Sequence, residues 1–254
     1  MSVPPEAICS EHSKGELETT VPVIDRWFGS WRFSLHRRAF SASELKDTYD
    51  EKAATWPRVL QRFGIERAYE TATQQILRRG ELSIDTPNCR ILDCGSGDGA
   101  FASAIARTFP VHISVVDISS KMLACASHRL SASGLEAEFH LADSRRLPFA
   151  EDTFSVVVTA HMLEHLANPE IALREITRVL KPGGVIIASI TRRSLIGRWI
   201  QLKWRTHTFS RRGGERLFRD QGLQAVWSLP TTGNMAFDCF SIIYAARKPI
   251  SLPQ

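Results

Sequence analysis

The sequence has 254 residues, and its 43% hydrophobic content is enough to bury the core of one large domain or of a core with a smaller cap. The first twenty residues are polar, and no stretch approaches the ~18 consecutive apolar residues of a membrane span, so we expect a cytoplasmic protein. Five cysteines without a C-x-x-C pair favour reduced thiols over a disulfide framework, and we expect no metal site.

The first third of the chain has a predominantly helical pattern. LKDTYDEKAATWPRVLQRFG predicts a helix that is interrupted at Pro57. ERAYETATQQILRRG predicts a second helix, with Gly80 as its C-terminal cap. We therefore expect residues 1–85 to form an N-terminal helical cap.

From Cys89 onward, short β-branched runs alternate with helical patterns, which predicts an α/β fold with a parallel sheet and helices on both faces. VVV at 156–158 and VII at 185–187 are apolar without a period-two break, as expected of strands covered on both sides. LFRDQGLQ predicts a helix ending at Gly222. AVWSLP and FDCFSIIYAARKP predict two more strands, which we expect to pair antiparallel.

A glycine-rich turn in CRILDCGSGDGAFASAIA joins the first of these strands to a helix, which is how a chain wraps a nucleotide. Gly95, Gly97 and Ala100 fit the dinucleotide pattern G-x-G-x-x-[G/A]. Asp93 and the three glycines that follow it at alternate positions fit D-x-G-x-G-x-G, the loop of S-adenosylmethionine-dependent methyltransferases. The two interpretations imply different chemistry.

Charge separates these interpretations. A pyrophosphate favours a bare helix N-terminus and disfavours a neighbouring carboxylate. Asp93 before the loop and Asp98 inside it suit a ligand with an ammonium and a sulfonium, and S-adenosylmethionine carries both. Asp117 ends the second strand, where it is placed to accept hydrogen bonds from ribose hydroxyls in either fold, so it does not discriminate.

Residues 86–190 resemble the class I S-adenosylmethionine-dependent methyltransferases, in the small-molecule group that includes the ubiquinone and menaquinone biosynthesis enzymes. The resemblance rests on three motifs in order: LDCGSGDGAFASAIA, VVDISSKMLACA and LADSRRLPFAEDTFSVVVTAHMLEHLANPEIALREITRVLKPGG. It implies a Rossmann-like, seven-stranded, mostly parallel sheet whose last strand is antiparallel. Residues 86–254 would then form the methyltransferase domain, with the cofactor core at 86–190 and a substrate-reading segment at 191–235.

The same resemblance implies S-adenosyl-L-methionine as the cofactor and assigns residues to its parts. The methionine moiety would face the glycine loop with Asp93, Gly95, Ser96 and Gly97. Asp117 would hold the ribose, and Ile118 would pack on the adenine. Asp143 and Ser144 would meet the adenine edge. Ala160 and His161 would lie near the methionine end.

Candidate catalytic residues follow the fourth strand. His161 and His165 are spaced i, i+4 with Glu164 between them, but without a third ligand the pair does not predict a metal site. In the phosphoethanolamine methyltransferases, which the sequence resembles locally, a histidine at this place pairs with an N-terminal tyrosine, and Tyr49 is the corresponding residue here. Because a general base is needed only where the acceptor carries a proton, a catalytic dyad and a purely structural His165 both remain open.

Basic residues concentrate between Arg192 and Arg219, where eight arginines and one lysine face a single acid. Within this segment, residues 194–212 predict an amphipathic basic helix with Trp199 and Trp204 as interfacial side chains. Its apolar face either covers the active site, as in most soluble enzymes, or contacts a lipid surface. The methyl acceptor is therefore a small molecule or an amphiphile, and the atom that is methylated and the oligomeric state are left open.

Two other functions are also compatible with the pattern. A nicotinamide-dependent oxidoreductase is disfavoured by the acids around the glycine loop. A nucleic-acid-binding or modifying protein is suggested by the basic 192–219 segment and its tryptophans, but no N-P-P-Y-like motif follows the fourth strand. A catalytically silent binding protein on this fold is a third possibility, because fold alone does not establish function.

Overall fold

The computed structural model describes residues 20–79, 89–108 and 111–250. An antiparallel hairpin opens this part of the chain and consists of β1 (Thr20–Phe28) and β2 (Trp31–Arg38). The helical cap expected for the N-terminal region is thus incomplete, since a hairpin precedes the helices. Gly29, at φ +61°, supplies the left-handed backbone that this tight turn requires.

Three helices follow the hairpin: α1 (Ala42–Lys52), α2 (Trp56–Arg62) and α3 (Ile65–Arg78). A capping box starts α1, because Ser41 Oγ accepts from the Glu44 N–H and the Glu44 carboxylate accepts from the Ser41 N–H. Pro57 lies in the first turn of α2, which confirms the predicted interruption. Gly80 and the proposed domain boundary at residue 85 lie outside the described residues.

The second sheet contains seven strands: β3 (Arg90–Cys94), β4 (His112–Asp117), β5 (Ala137–Leu141), β6 (Phe154–Ala160), β7 (Leu180–Thr191), β8 (Gln224–Ser228) and β9 (Ser241–Arg247). Their spatial order is β5-β4-β3-β6-β7-β9-β8. Neighbours from β5 to β7 pair in parallel, and β9 is antiparallel to both β7 and β8. The predicted mostly parallel sheet with an antiparallel last strand is confirmed.

Helices cover both faces of this sheet: α4 (Ala100–Ala106), α5 (Ser120–Ala132), α6 (Pro169–Val179), α7 (Leu195–Trp204), α8 (Arg211–Arg219) and α9 (Met235–Asp238). A 3₁₀ turn at Leu163–His165 follows β6. In β6, Val156 and Val158 pack with α3 and α4, whereas Val157 packs with α6 and α8 on the other face. This two-sided burial explains the unbroken apolar run in the sequence.

The strand order reverses direction at β3, which has β4 on one side and β6 on the other. At such a switch point the loops after neighbouring strands diverge and leave a crevice beyond their carboxyl ends, where open α/β sheets bind ligands. Within the described residues, no helix is long and apolar enough to cross a membrane.

Candidate active site

A cavity of about 500 Å³ lies at the carboxyl ends of β3, β4 and β6 and is also lined by the segment that runs from β2 through α2. This volume is in the range of small-molecule and cofactor sites, roughly 300–1,000 Å³. The cavity brings together all but one of the residues predicted for the site: Tyr49, Gly95, Ser96, Gly97, Asp117, Ile118, Asp143, Ser144, Ala160, His161 and His165.

The glycine loop forms one wall with its backbone. Gly95 adopts φ +71°, and a Cβ there would lie 2.5 Å from the Met162 side chain. Gly97 adopts φ +53°, and a Cβ there would meet nothing closer than the Trp56 indole nitrogen at 3.9 Å. The first glycine therefore permits close packing, and the second leaves the backbone open to the cavity.

Asp93 is the predicted cofactor residue that does not line the cavity. Its carboxylate turns toward α4, where Oδ2 accepts from the Ala102 N–H at 3.0 Å. Burial raises the pKa of this carboxyl to about 7. The methionine-facing side chain expected at this position is instead a cap on the first turn of α4, because the first N–H groups of a helix need acceptors.

Asp98 lines the cavity, and its carboxylate is also held by the protein. Its carboxylate forms an ion pair with Arg129, which also contacts Glu66 at 2.8 Å. Burial raises the Asp98 pKa, and the Arg129 charge opposes that shift. The negative charge in the loop is therefore compensated from α5.

Asp117 ties the end of β4 to the glycine loop. Its Oδ2 accepts from the Gly97 N–H at 2.8 Å and its Oδ1 from the Ser119 N–H at 2.9 Å. Burial raises its pKa, and these backbone hydrogen bonds oppose the shift. Because each carboxylate oxygen has a second lone pair, the side chain retains acceptor capacity toward the cavity.

Asp143 forms a bidentate pair with Arg145 in its own loop, at 2.6–3.1 Å. Burial raises the pKa of Asp143, but the hydrogen bonds from Arg145 outweigh it and the net pKa is lowered. Asp143 is therefore ionised and occupied, and it keeps only part of its acceptor capacity for a ligand.

Tyr49 and His165 meet in the cavity, with the tyrosine hydroxyl 3.0 Å from His165 Nε2. Burial lowers the pKa of His165 to about 4 and raises that of Tyr49, so both groups are neutral at pH 7. Trp204 stacks on Tyr49 with ring centroids 5.7 Å apart, and Trp56 meets the phenol edge-on. The aromatic rings fix the phenol against the imidazole.

His161 belongs to a separate polar cluster. Its Nδ1 lies 2.8 Å from Glu164 Oε1, and its Nε2 lies 3.2 Å from Ser189 Oγ. Burial raises the Glu164 pKa, but hydrogen bonds from His161 and Thr191 bring it down to about 2. Glu164 is thus a buried carboxylate that orients His161, and the two histidines contact different partners instead of sharing a ligand.

Sequence reasoning missed the apolar lining, which includes Leu45, Trp56, Leu60, Tyr69, Phe101 and Met162. Tyr69 stacks on Phe101 with ring centroids 4.3 Å apart. All of them except Met162 lie on helices, where apolar residues are typical of a hydrophobic core, so the sequence carries no signal that they face a cavity.

The apolar face of α7 points outward, so the helix does not use it to cover the cavity. Leu195 is 89% exposed and Trp199 is 59% exposed, whereas Gly197 and Gln201 on the opposite side are buried. Trp204 is the exception to the predicted pair of interfacial tryptophans, since it turns inward onto Tyr49.

Residues 92–188 match a family model described as a methyltransferase domain. Over these residues the chain is therefore a methyltransferase domain, as the glycine loop predicted. It is 31% identical over 144 residues to methyltransferase GfsG of Streptomyces halstedii, an alignment that covers 56% of the chain and 51% of that protein. It is 29% identical over 159 residues to the ubiquinone/menaquinone biosynthesis C-methyltransferase UbiE of Geotalea daltonii, covering 61% of the chain and 65% of that protein. The chain spans less than two thirds of the length of either relative.

Solved structures share the fold of this methyltransferase domain. The [4+2]-cyclase SpnF matches with a TM-score of 0.62 and 19% identity, over 84% of this chain and 98% of that one. Phosphoethanolamine N-methyltransferase 2 of Haemonchus contortus matches with a TM-score of 0.59 and 17% identity, over 86% of this chain and 62% of that one. Since one of these neighbours is a cyclase, the fold by itself does not identify the reaction.

Proposed function

We propose that the protein transfers a methyl group from S-adenosylmethionine to a small-molecule or amphiphilic acceptor by in-line displacement. The observation that supports this most directly is a single cavity, within a methyltransferase domain, that is lined by the glycine loop, Asp117 and the Tyr49–His165 pair. The nucleophilic atom of the acceptor, whether oxygen, nitrogen, sulfur or carbon, is left open.

The residues present fit the cofactor. Ser96 Oγ is buried at the cavity wall and has no hydrogen-bond partner among the described residues, so it is available to a polar ligand. We assign the methionine moiety to the backbone of Gly95, Ser96 and Gly97. Asp117 would accept from the two ribose hydroxyls through its remaining lone pairs.

The adenine end is assigned to the loops after β4 and β5. Ile118 would pack on the ring, while Ser144 and the free acceptor capacity of Asp143 would meet its polar edge. Ala160, a small residue at the end of β6, leaves room for the methionine end beside His161.

The bound cofactor supplies a methyl group already activated by its sulfonium. The protein's own contribution is to orient the acceptor and to exclude water, and positioning of this kind provides on the order of 7–11 kcal/mol of the barrier. The apolar lining from Leu45, Trp56 and Leu60 is suited to excluding water. Neutral His165, with Tyr49 beside it, would accept a proton from an acceptor that must lose one, which contributes about 10²- to 10⁴-fold.

An amphiphilic acceptor is favoured by the surroundings of the cavity. Its lining is mainly apolar, and α7, at the start of the substrate-reading segment 191–235, presents its apolar side to the outside. We therefore propose that residues 194–212 contact a lipid surface, which would bring a lipid-soluble acceptor to the site.

Calorimetry with S-adenosylhomocysteine tests the cofactor assignment. We expect micromolar binding, on the order of −8 kcal/mol. Asp117→Ala should weaken it at least about ten-fold, because each charge-assisted hydrogen bond contributes about 1.5–3 kcal/mol. Asp152→Ala, which removes an exposed acid outside the cavity, is the matched control and should leave the affinity unchanged. No heat with S-adenosylmethionine or S-adenosylhomocysteine, together with tight NADH binding, would contradict the proposal.

A methyl-transfer screen with radiolabelled S-adenosylmethionine tests the reaction itself. Phenols, quinones, amines, thiols and phospholipids are the acceptor classes to compare. Cofactor binding without transfer to any class would indicate a binding protein, or another reaction on the same fold.

A further inference from the structure

The β1–β2 hairpin has one strongly apolar face. Directly opposed residues in an antiparallel pair point to the same side, and successive residues of a strand alternate between sides. The register pairs Ile24 with Leu35 and Phe28 with Trp31. One face therefore carries Ile24, Arg26, Phe28, Trp31, Phe33 and Leu35, and we call it the aromatic face.

The aromatic face is open to solvent. Trp31 is 80% exposed, and Phe28, Phe33 and Leu35 are each about half exposed or more. Clustered apolar side chains of this size on a surface mark an interaction site rather than ordinary surface variation. A two-stranded hairpin is marginally stable alone, so a partner for this face would also stabilise the hairpin.

On the opposite face of the same hairpin, the charged side chains pair with each other. Arg32 donates to both carboxylate oxygens of Asp25 at 2.9 and 3.0 Å. The Arg32 guanidinium also lies over the Trp27 ring, 5.7 Å from its centroid. The two faces thus differ in kind, although each exposes a tryptophan.

Helix α7 joins the hairpin at its base. Gln201 Nε2 donates to the Pro22 carbonyl and Arg37 donates to the Leu202 carbonyl, both at 2.6 Å. The outward side of α7 then adds Leu195 and Trp199 to the exposed apolar surface. Two elements separated by more than 150 residues in sequence are therefore joined, and each exposes apolar side chains.

Both elements also lead into the cavity. The residues directly after β2, at 39–41, line it. The last residue of α7, Trp204, stacks on Tyr49, which also lines the cavity. The ends of β2 and α7 therefore connect the exposed surface to the residues of the proposed site.

The charge of the surface is positive. The hairpin contains four arginines and one acid, Asp25, which is already paired with Arg32. Residues 192–212 contain six arginines, one lysine and no acid. Arg38 is also paired, with Glu44, but arginines still outnumber acids here. Aromatic and aliphatic side chains among an excess of cations match the interface of a bilayer that contains anionic lipid.

We propose that the aromatic face of the hairpin and the outward side of α7 form a docking surface for an anionic lipid bilayer. This inference goes beyond methyl transfer, because the surface lies outside the cavity and its binding requires no cofactor. The aromatic side chains enter the headgroup region, and the arginines contact the anionic headgroups. The hairpin then acts as a second, independent contact beside residues 194–212.

Vesicle co-sedimentation tests the proposal with the full chain. Wild type should bind vesicles of phosphatidylcholine mixed with phosphatidylserine, bind phosphatidylcholine alone weakly, and dissociate as salt is raised. The double variant Trp31→Ser/Phe33→Ser should bind the mixed vesicles at least about ten-fold more weakly, since it removes the inserted aromatic rings.

Trp27→Ser is the matched control, because it removes an equally large exposed ring from the opposite face of the same hairpin. It should bind vesicles as wild type does. Arg26→Gln, on the aromatic face, should weaken binding about five-fold, whereas Arg32→Gln, whose charge is paired with Asp25, should have less effect. Unchanged melting temperature and unchanged S-adenosylhomocysteine affinity will establish that each variant is folded.

Three results would overturn the proposal. Wild type that stays in the supernatant with anionic vesicles at low salt removes it directly. Equal losses in Trp27→Ser and Trp31→Ser/Phe33→Ser remove the assignment to one face. A mass in sedimentation equilibrium that doubles in wild type and reverts in the double variant assigns the face to a second copy of this chain. Because cofactor affinity is measured separately, none of these results bears on methyl transfer.

Discussion

The two ends of the cavity are built differently. The end proposed for the cofactor is formed mainly by the glycine loop after β3, which Asp117 at the end of β4 holds through the Gly97 N–H. The end proposed for the acceptor is assembled from distant segments, since Tyr49 comes from α1, His165 from the turn after β6 and Trp204 from α7. Such a division allows the acceptor specificity to change while the cofactor site is retained.

The largest expected effect is a loss of turnover from substitutions at the acceptor end alone. Tyr49→Phe and His165→Gln should each lower turnover by about 10²-fold if the pair moves a proton, because general base catalysis contributes about 10²- to 10⁴-fold. The double variant should lose little more than either single one, since the two residues act as a unit. Cofactor affinity should stay near that of wild type, and single-turnover rates with calorimetry measure both.

Parental turnover in both single variants would mean that the reaction depends on positioning alone. His165 would then have the purely structural role that the sequence leaves open beside a catalytic one.

The second prediction compares how the unfolding free energy depends on pH through one buried group at each end of the cavity. Burial lowers the His165 pKa to about 4, below its unfolded value near 6.5, so the unfolded state binds more protons in this window. Wild type should lose about 3 kcal/mol of unfolding free energy as pH falls from about 6.5 to 4, relative to His165→Gln. Urea denaturation of both proteins across this range gives the difference.

Asp93 should show the opposite dependence at the cofactor end. Its pKa is raised by burial to about 7, so its stabilising contribution is complete below about 4 and is lost as pH rises to about 7. Asp93→Asn should remove this loss, which is about 3–4 kcal/mol. Parallel pH profiles for wild type and Asp93→Asn would show that the carboxyl is ionised in the folded protein throughout.

The third prediction separates backbone strain from crowding in the glycine loop. Gly95→Ala combines a positive φ with a contact at 2.5 Å from Met162, and should cost about 3 kcal/mol of unfolding free energy. Gly134→Ala has a similar φ of +70° but nothing within 4 Å of its Cβ, and should cost about 1 kcal/mol. Equal losses would mean that Met162 moves aside without penalty.

The smallest effect concerns the adenine end. Asp143→Asn should weaken S-adenosylhomocysteine binding by less than about five-fold, because Arg145 already occupies most of the carboxylate and each remaining neutral hydrogen bond contributes about 0.5–1.5 kcal/mol. A loss as large as that of Asp117→Ala, by calorimetry, would show that Arg145 releases the carboxylate when the cofactor binds.

The sheet and its order of elements were predictable because its strands are buried on both faces, which leaves an unbroken apolar run such as VVV at 156–158. The meeting of Tyr49 with His165 was predictable from the family resemblance. The partners of Asp93 and Asp98 were not, because charge alone does not reveal that Arg129 or a helix N-terminus is nearby.

The hairpin was missed for a physical reason. A half-buried strand shows an apolar/polar alternation, but β2 and the last four residues of β1 are exposed, with arginines between the aromatics. The Gly29–Ser30 pair between two aromatic runs was the available turn signal. For α7, the sequence defined an apolar face, but only packing determines whether that face points inward or outward.

Trp204 connects helix α7, which lies at the surface, to the Tyr49–His165 pair in the cavity. It ends the helix whose apolar side faces outward, and its ring stacks on the phenol of Tyr49. A displacement of α7 by a bound bilayer would change the free energy of the Tyr49–His165 arrangement. Coupling of this kind is reciprocal, so an acceptor that orders the phenol would tighten the hold on the membrane by the same factor.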